Sequence, residues 1–214
     1  MILVSAIMPT RGRRHLARRA LESFLAQDYQ FKELIVLDDV DEPSFDGDEI
    51  KSSIVKYQRS EFKLTIGAKR NLCCAIAAGQ IIVHFDSDDW SVTNRITEQV
   101  GHLRETGKAV TGYYTMLFHD GKTWGIYGGA PPRHVLGTSL CYKRDFWERH
   151  PFDDRLNVGE DNEFAKAAMY YDQMAAVEGK SMMVAQIHPH NTSPKLITDF
   201  NPIEADLIPV GFSV

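Results

Sequence analysis

The sequence predicts an α/β fold with a mixed sheet that is parallel in its first half and flanked by helices. Short apolar runs alternate with helical periods over the first hundred residues, an order typical of βαβ units and a Rossmann-like parallel sheet. Turn signals then divide residues 109–143 into short β-branched and aromatic stretches, which indicate antiparallel strands. A chain of 214 residues with this pattern is expected to form a single domain.

The first half shows alternating strands and helices. Residues 1–8 are apolar and β-rich, and residues 14–26 repeat apolar side chains at a helical period. Residues 33–38 (ELIVLD) form a short run ending in acid, as expected of a parallel strand buried on both faces. A helix flanked by glycines follows over residues 67–79, and the third strand after it ends at the carboxylates of residues 84–90 (HFDSDDW).

The second half mixes strands and helices. A helix is predicted over residues 93–106, followed by the antiparallel strands of residues 109–143. Residues 160–171 have a helical period, and residues 182–187 form a last strand before a tail interrupted by prolines. The sequence contains no repeat and no low-complexity tract.

Composition and charge exclude several classes of protein. A net charge of −5 argues against a protein that coats nucleic acid. The three cysteines, Cys73, Cys74 and Cys141, form neither a disulfide framework nor a paired zinc motif, so a reducing, cytoplasmic location is expected. No apolar run approaches the roughly 18 residues that would span a bilayer, and the first residues lack the basic start of a secretion signal. We therefore expect a protein that is soluble or at most peripheral to a membrane.

Polar side chains follow three of the predicted strands. They are residues 9–12 (PTRG), Asp38 with Asp39, and residues 86–89 (DSDD). Because ligands of such sheets bind at the carboxyl ends of the strands, we expect these groups to share one site. Asp86 and Asp88 are spaced so that both can present oxygens to a hard divalent cation that bridges phosphates. An acidic turn or a helix cap explains this segment, taken alone, equally well.

Four blocks of the sequence, taken in order, resemble family-2 glycosyltransferases. They are VSAIMPTRGRRHLARRALESFLAQDYQFKELIVLDD, GAKRNLCCAIAAGQIIVHFDSDDW, VGEDNEF and IHPHNTS, which together cover about residues 3–193. The resemblance implies a GT-A fold. It also implies an activity, the metal-dependent transfer of a sugar from a nucleoside diphosphate sugar to an acceptor, with inversion.

The resemblance places the donor nucleoside at the first two strand ends. Pro9 and Thr10 would contact the nucleoside, and Asp39 would accept a hydrogen bond from the edge of the base. Arg11 stands where the family often has an aromatic residue that stacks on the base, and a guanidinium can stack or reach a phosphate instead. The family's Gly-Ser after this aspartate is replaced by Val40-Asp41, a second departure at the base pocket.

The resemblance also implies a site for the diphosphate and a metal. Lys69 or Arg70 would meet the diphosphate, with Arg70 favoured because it fills the family's A-R-N position; an exposed cationic helix face is the alternative. Asp88 would bind Mn²⁺ or Mg²⁺ directly, and Asp86 would face the ribose or the metal. His188 would bind the metal or the diphosphate, unless it is an ordinary surface histidine.

A general base is implied at the VGEDNEF block. Asp161 would deprotonate the acceptor hydroxyl, and Glu160 is the substitute candidate. An acidic helix N-terminus, which stabilises the helix dipole, explains the same pair without any chemistry.

Each half of the chain is expected to have its own function. Residues 1–106 would bind the nucleotide sugar, and residues 107–214 would supply the base and bind the acceptor. Trp124, Tyr127 and Trp147 are expected near that acceptor. The acceptor is not identified: a glycan, a lipid-linked sugar, a small molecule and a modified nucleic-acid base all fit.

Residues 128–134 (GGAPPRH) form either a lid over the substrates or an ordinary turn. The five arginines between residues 11 and 19 can hold an acidic acceptor, although a solvated helix face is the favoured interpretation.

Three other functions compete with this one. A nucleotidyltransferase would carry a glycine-rich phosphate loop after the first strand, where PTRGRR has a single glycine. A haloacid-dehalogenase-type phosphatase would use Asp86 as nucleophile, but its acid pair follows the first strand of the fold. A nucleotide-sugar-binding module that has lost catalysis stays open.

Overall fold

The computed structural model describes residues 2–39, 42–46, 50, 52–128, 135–203 and 207–212. The strands are β1 (Val4–Thr10), β2 (Lys32–Asp38), β3 (Val55–Arg59), β4 (Ile81–His84), β5 (Asp89–Ser91), β6 (Val110–Tyr113), β7 (Met116–His119), β8 (Trp124–Tyr127), β9 (Cys141–Lys143), β10 (Met174–Val177), β11 (Met183–Gln186) and β12 (Asn201–Pro202). The helices are α1 (Arg14–Leu25), α2 (Ile66–Ile76), α3 (Arg95–Thr106), α4 (Arg144–Arg149) and α5 (Glu160–Tyr170), and 3₁₀ turns lie at Gly137–Ser139 and Ile197–Asp199.

A seven-stranded sheet forms the centre of the molecule, in the order β10-β6-β9-β4-β1-β2-β3. Strands β1, β2, β3 and β4 all belong to this sheet and run parallel to one another. Ile7 of β1 lies opposite Ile35 of β2 and His84 of β4. Strand β9 runs antiparallel to both of its neighbours, β4 and β6. The prediction of a mixed sheet that is parallel in its first half is therefore confirmed.

Helices cover both faces of this sheet. Successive side chains of a strand point to opposite faces, so Ala6 and Met8 of β1 pack in one cluster with α1 and α3, while Ile7 packs in another with α2 and α5. All seven residues of β1 and of β2 are buried. This double burial explains why both strands read as continuous apolar runs in the sequence.

Several elements differ from the sequence-based expectation. A second, five-stranded sheet has the order β12-β8-β7-β11-β5, and neither it nor strands β3 and β10 was predicted. Strand β3 is an edge strand with one buried residue in five, so its sequence VKYQR lacks an apolar run. The carboxylates of residues 86–89 consequently follow the fourth strand rather than the third. None of the described helices is long and apolar enough to cross a membrane.

Candidate active site

A cavity of about 280 Å³ opens at the carboxyl ends of β1 and β4. Five carboxylates line it, and we call it the carboxylate pocket: Asp86, Asp88, Asp89, Glu160 and Asp161. The first three follow β4 and the last two begin α5. Tertiary folding thus brings together the two acidic motifs that the sequence separates by more than seventy residues.

Arg70 joins the two motifs at the back of the pocket. Its Nη1 and Nη2 donate to Oδ1 and Oδ2 of Asp86 at 2.9 and 3.1 Å, and its Nε donates to Oε1 of Glu160 at 3.1 Å. Burial alone would raise the pKa of Asp86, but the charge and hydrogen bonds of Arg70 lower that pKa to about 2. Burial outweighs Arg70 at Glu160 and raises its pKa. Arg70, which was predicted to meet the diphosphate, therefore holds the carboxylates of Asp86 and Glu160 in place in this structure.

Asp88 meets a histidine and an arginine at the front of the pocket. Its Oδ2 accepts from Nη1 of Arg13 at 2.6 Å and lies 3.1 Å from Nε2 of His188. Asn191 Nδ2 lies 3.4 Å from the same oxygen. The two predicted metal ligands Asp88 and His188 are thus in contact. Asn191 was not predicted, and Arg13 was considered only as one of the five arginines that can hold an acidic acceptor, although both belong to blocks that carry the resemblance.

These residues fit a metal ion only in part. Among the described residues, no three His, Cys, Asp or Glu side chains are grouped as a metal site of the protein alone. Mg²⁺ and ions like it keep several waters and bind through one or two carboxylates together with substrate phosphates. The carboxylate of Asp88 and the imidazole of His188 therefore suit an ion whose coordination is completed by a diphosphate.

Asp89 has a supporting position. It accepts a hydrogen bond from the hydroxyl of Thr138. Burial, together with the charges of Asp88 and Asp86, raises the pKa of Asp89 well above the usual range. Such a carboxyl favours its neutral form and suits packing rather than metal binding.

A buried ion pair lies beside the carboxylate pocket, at the predicted nucleoside site. Lys69 Nζ contacts Oδ1 of Asp39 at 2.5 Å and donates to the backbone oxygen of Thr10 at 2.8 Å. The other Asp39 oxygen accepts from the backbone N–H of Leu64 at 2.7 Å. Burial lowers the pKa of Lys69. In this arrangement Asp39 and Lys69 fasten strand ends to α2, and their roles toward the base and the diphosphate stay predictions.

The other predicted nucleoside contacts lie at the same edge. Pro9 is buried and lines the carboxylate pocket, and Thr10 is buried beside it, with its hydroxyl 3.2 Å from that of Ser44. Arg11 is exposed. The second predicted departure, Val40-Asp41, lies outside the described residues.

The two base candidates are in different environments. Glu160 is 4% exposed and tied to Arg70, whereas Asp161 is half-buried and lines the pocket. Oδ1 of Asp161 accepts from the backbone N–H of Asn162 at 2.7 Å. Within the described part of the chain, no hydrogen-bond donor reaches its Oδ2. Asp161 is therefore the more exposed carboxylate of this pair, and its Oδ2 has no donor among the described residues.

The aromatic residues expected near the acceptor do not line the carboxylate pocket. Trp124 lies against His119, with ring centroids 4.4 Å apart, and Trp147 donates from Nε1 to Asn71 at 2.8 Å. Apolar walls of the pocket come instead from Met116, Phe118 and Leu136. Of the predicted lid, residues 129–134 lie outside the described residues.

The model of the family described as glycosyl transferase family 2 matches residues 5–163, which is most of the chain. The chain belongs to this family. As a family-2 glycosyltransferase it is similar to the putative colanic acid biosynthesis glycosyl transferase WcaA of Escherichia coli K12, with 24% identity over 92% of this chain and 78% of that protein.

A second relative from Escherichia coli is named UDP-Glc:alpha-D-GlcNAc-diphosphoundecaprenol beta-1,3-glucosyltransferase WfaP. It is 30% identical over 66% of this chain and 57% of its own length. WfgD, also from Escherichia coli and named for the same activity, is 33% identical over 47% of this chain and 41% of its own length. This glycosyltransferase therefore spans only about half the length of these two relatives.

Solved structures of TarS from S. aureus share the fold. The complex of TarS 1-349 with UDP-GlcNAc superimposes with a TM-score of 0.73 at 19% identity, covering 89% of this chain and 60% of that chain. The complex with UDP gives a TM-score of 0.70, also at 19% identity, covering 88% of this chain and 61% of that chain. The predicted GT-A fold is thereby confirmed.

Proposed function

We propose that this glycosyltransferase is metal-dependent and inverting, and that it transfers a sugar from a UDP-sugar to a lipid-linked saccharide. The observation that carries the proposal is a single pocket lined by Asp161 and by Asp88, which contacts His188. In this proposal residues 1–106 form the donor half, and residues 107–214 form the acceptor half.

The donor diphosphate would leave at the Asp88 side of the pocket. Asp88 and His188 would hold a divalent ion, which when bound neutralises the charge of the leaving diphosphate. Arg13 lies 2.6 Å from the same Asp88 oxygen, and Lys195 also lines the pocket. These two cations add positive charge where the diphosphate would accumulate negative charge.

The acceptor hydroxyl would be activated on the other side by Asp161. Its Oδ2 would take the proton as the acceptor oxygen forms a bond to the anomeric carbon. The bond from that carbon to the diphosphate oxygen breaks at the same time, and its electron pair leaves with the UDP. A single displacement of this kind inverts the anomeric centre.

The relatives support the choice of donor and acceptor. WfaP and WfgD are named for UDP-Glc as donor and for a GlcNAc-diphosphoundecaprenol acceptor, and TarS has been solved with UDP-GlcNAc. A soluble glycan, a small molecule and a modified nucleic-acid base are the alternatives for the acceptor. The apolar wall formed by Met116, Phe118 and Leu136 suits the apolar face of a sugar ring.

The test measures UDP release from a panel of UDP-sugars with Mn²⁺, with Mg²⁺ and with EDTA. We expect release that requires the metal and that a synthetic lipid-diphosphate-linked GlcNAc accelerates more than free GlcNAc does. Asp88→Asn should lower the rate about 100-fold or more, and Asp145→Asn, at an exposed position on α4, is the matched control. The anomeric configuration of the product, read by NMR, tests inversion.

Each part of the proposal can be contradicted separately. UDP release that EDTA does not affect would contradict the metal dependence. A product with retained configuration would contradict the single displacement. Donor binding without turnover of any sugar would favour the binding module.

A further inference from the structure

The α-carbon of Gly137 lies against the carboxylate of Asp161. A Cβ placed on Gly137 would lie 1.7 Å from Oδ2 of Asp161 and 2.3 Å from its Cγ. Both distances are far below van der Waals contact, so the carboxylate occupies the space of a side chain at position 137. Gly137 does not have a positive φ. The close approach, and not backbone freedom, is what requires glycine there.

His84 holds Gly137 in place through a hydrogen bond to its backbone oxygen. Its Nδ1 lies 2.7 Å from the backbone oxygen of Gly137, and its Nε2 lies 3.3 Å from the hydroxyl of Tyr142. Because a carbonyl oxygen only accepts, Nδ1 must carry the hydrogen, which leaves Nε2 to accept from Tyr142. His84 is completely buried. The imidazole is therefore a dedicated donor to the turn that faces Asp161.

Helix α3 fixes the next two residues of the same turn. Arg95 Nη2 donates to the backbone oxygen of Thr138 at 3.2 Å, and Gln99 Nε2 donates to that of Ser139 at 2.6 Å. Arg95 and Gln99 are completely buried. The turn Gly137–Ser139 thus cannot retreat from Asp161 without breaking buried hydrogen bonds.

We propose that Gly137 is a positioning residue for Asp161, and that His84, Arg95 and Gln99 hold its turn in place. The turn forms the wall that keeps the Asp161 carboxylate directed at the pocket, which Gly137, Thr138 and Asp161 line together. This inference rests on the proposed role of Asp161 as base. A displacement of about 1 Å at a catalytic group can cost about 100-fold in rate, so a side chain at position 137 that shifts Asp161 should slow the reaction.

The first experiment compares Gly137→Ala with Gly101→Ala. A Cβ at Gly101 would meet nothing within 4 Å, so this control makes the same chemical change in open space. We expect Gly137→Ala to lower kcat about 100-fold with the KM for the UDP-sugar within about twofold of wild type. Gly101→Ala should leave both constants unchanged.

A double variant shows whether the effect passes through Asp161. In an Asp161→Asn background, adding Gly137→Ala should change the residual rate by less than about twofold, because the group it displaces no longer acts as a base. A merely structural defect would instead lower the residual rate again.

Variants of His84 give a second route to the same question if Gly137→Ala folds poorly. His84→Phe keeps a ring but loses the donor, and we expect kcat to fall about tenfold with donor KM unchanged. His84→Asn places an amide N–H near the position of Nδ1 and should restore most of the rate.

Two kinetic results would overturn the inference. They are a kcat of Gly137→Ala within about threefold of the Gly101→Ala value, and an equal loss from Gly137→Ala with and without Asp161→Asn. Absence of turnover by the wild-type enzyme would contradict the proposed function instead. In that case a crystal structure of Gly137→Ala decides: an Asp161 carboxylate that has moved supports the inference, and one that stays in place overturns it.

Discussion

At the scale of single residues, the carboxylate pocket separates carboxylates by what surrounds them. Glu160 and Asp161 are neighbours in sequence, yet Arg70 binds Glu160, while Asp161 lines the pocket and its Oδ2 accepts from no donor among the described residues. Asp86 is held by two hydrogen bonds from Arg70. A carboxylate fastened in this way is suited to positioning, whereas one with a free oxygen can exchange a proton.

This difference predicts that amide substitutions of the two residues affect different properties, namely the turnover and the stability. Asp161→Asn should lower kcat by about 100-fold to 10,000-fold, because the base is lost while the fold and donor binding are kept. Glu160→Gln should mainly lower the thermal stability, since Arg70 is buried and loses one of its two carboxylate partners. Steady-state kinetics and thermal unfolding of both variants check this. A larger loss of kcat in Glu160→Gln than in Asp161→Asn would assign the role of base to Glu160 instead.

At the scale of elements, a buried carboxylate joins three strands at the far end of the central sheet. Glu33 of β2 accepts from the Ser5 hydroxyl of β1 and from the Ala78 backbone N–H, each at 2.6 Å. Its other oxygen lies 2.7 Å from Nζ of Lys56 on β3. Burial would raise the pKa of Glu33, but these hydrogen bonds outweigh burial and lower it.

A lowered pKa in the folded state has a definite sign for stability. The ionised Glu33 stabilises the fold above its unfolded pKa of about 4.3, and this contribution is lost as the pH falls through the folded pKa. We expect Glu33→Gln to lower the free energy of unfolding by about 1–3 kcal/mol at pH 7, with a difference that shrinks below pH 4. Urea unfolding across pH measures it, with the exposed Glu105→Gln as control. A difference that is independent of pH would contradict this account.

At the scale of the whole molecule, the pocket depends on segments distant in the chain. Arg13 at the start of α1, Asp88 after β4 and His188 after β11 meet at one carboxylate oxygen. A ligand that binds there would bridge three segments that are distant in the chain. Ligand binding should therefore be visible in the stability of the entire protein.

We predict that UDP and Mn²⁺ stabilise the protein cooperatively. The shift in Tm with both ligands should exceed the sum of the separate shifts, because the ion would be shared between Asp88 and the diphosphate. Uridine, which lacks phosphates, should show no such coupling with Mn²⁺, and Asp88→Asn should abolish the coupling for UDP. Differential scanning fluorimetry measures these shifts. Additive shifts in the wild-type protein would argue against a shared ion.

The sequence by itself determined the parts of this protein that depend on local pattern. Strands β1, β2 and β4 are buried on both faces and therefore appear as apolar runs, and the order of the four motif blocks indicated the family. Strand β3 escaped prediction because an edge strand exposes most of its side chains.

Only the tertiary structure decided which charges meet. Arg70 binds Asp86 and Glu160, Arg13 binds Asp88, and Gly137 lies against Asp161. No local pattern marks such pairs, because partners 16 to 90 residues apart come together only when the sheet, its helices and the turn before β9 are packed. The sequence supplied the chemical groups of the pocket, and packing chose which of them stay free to react.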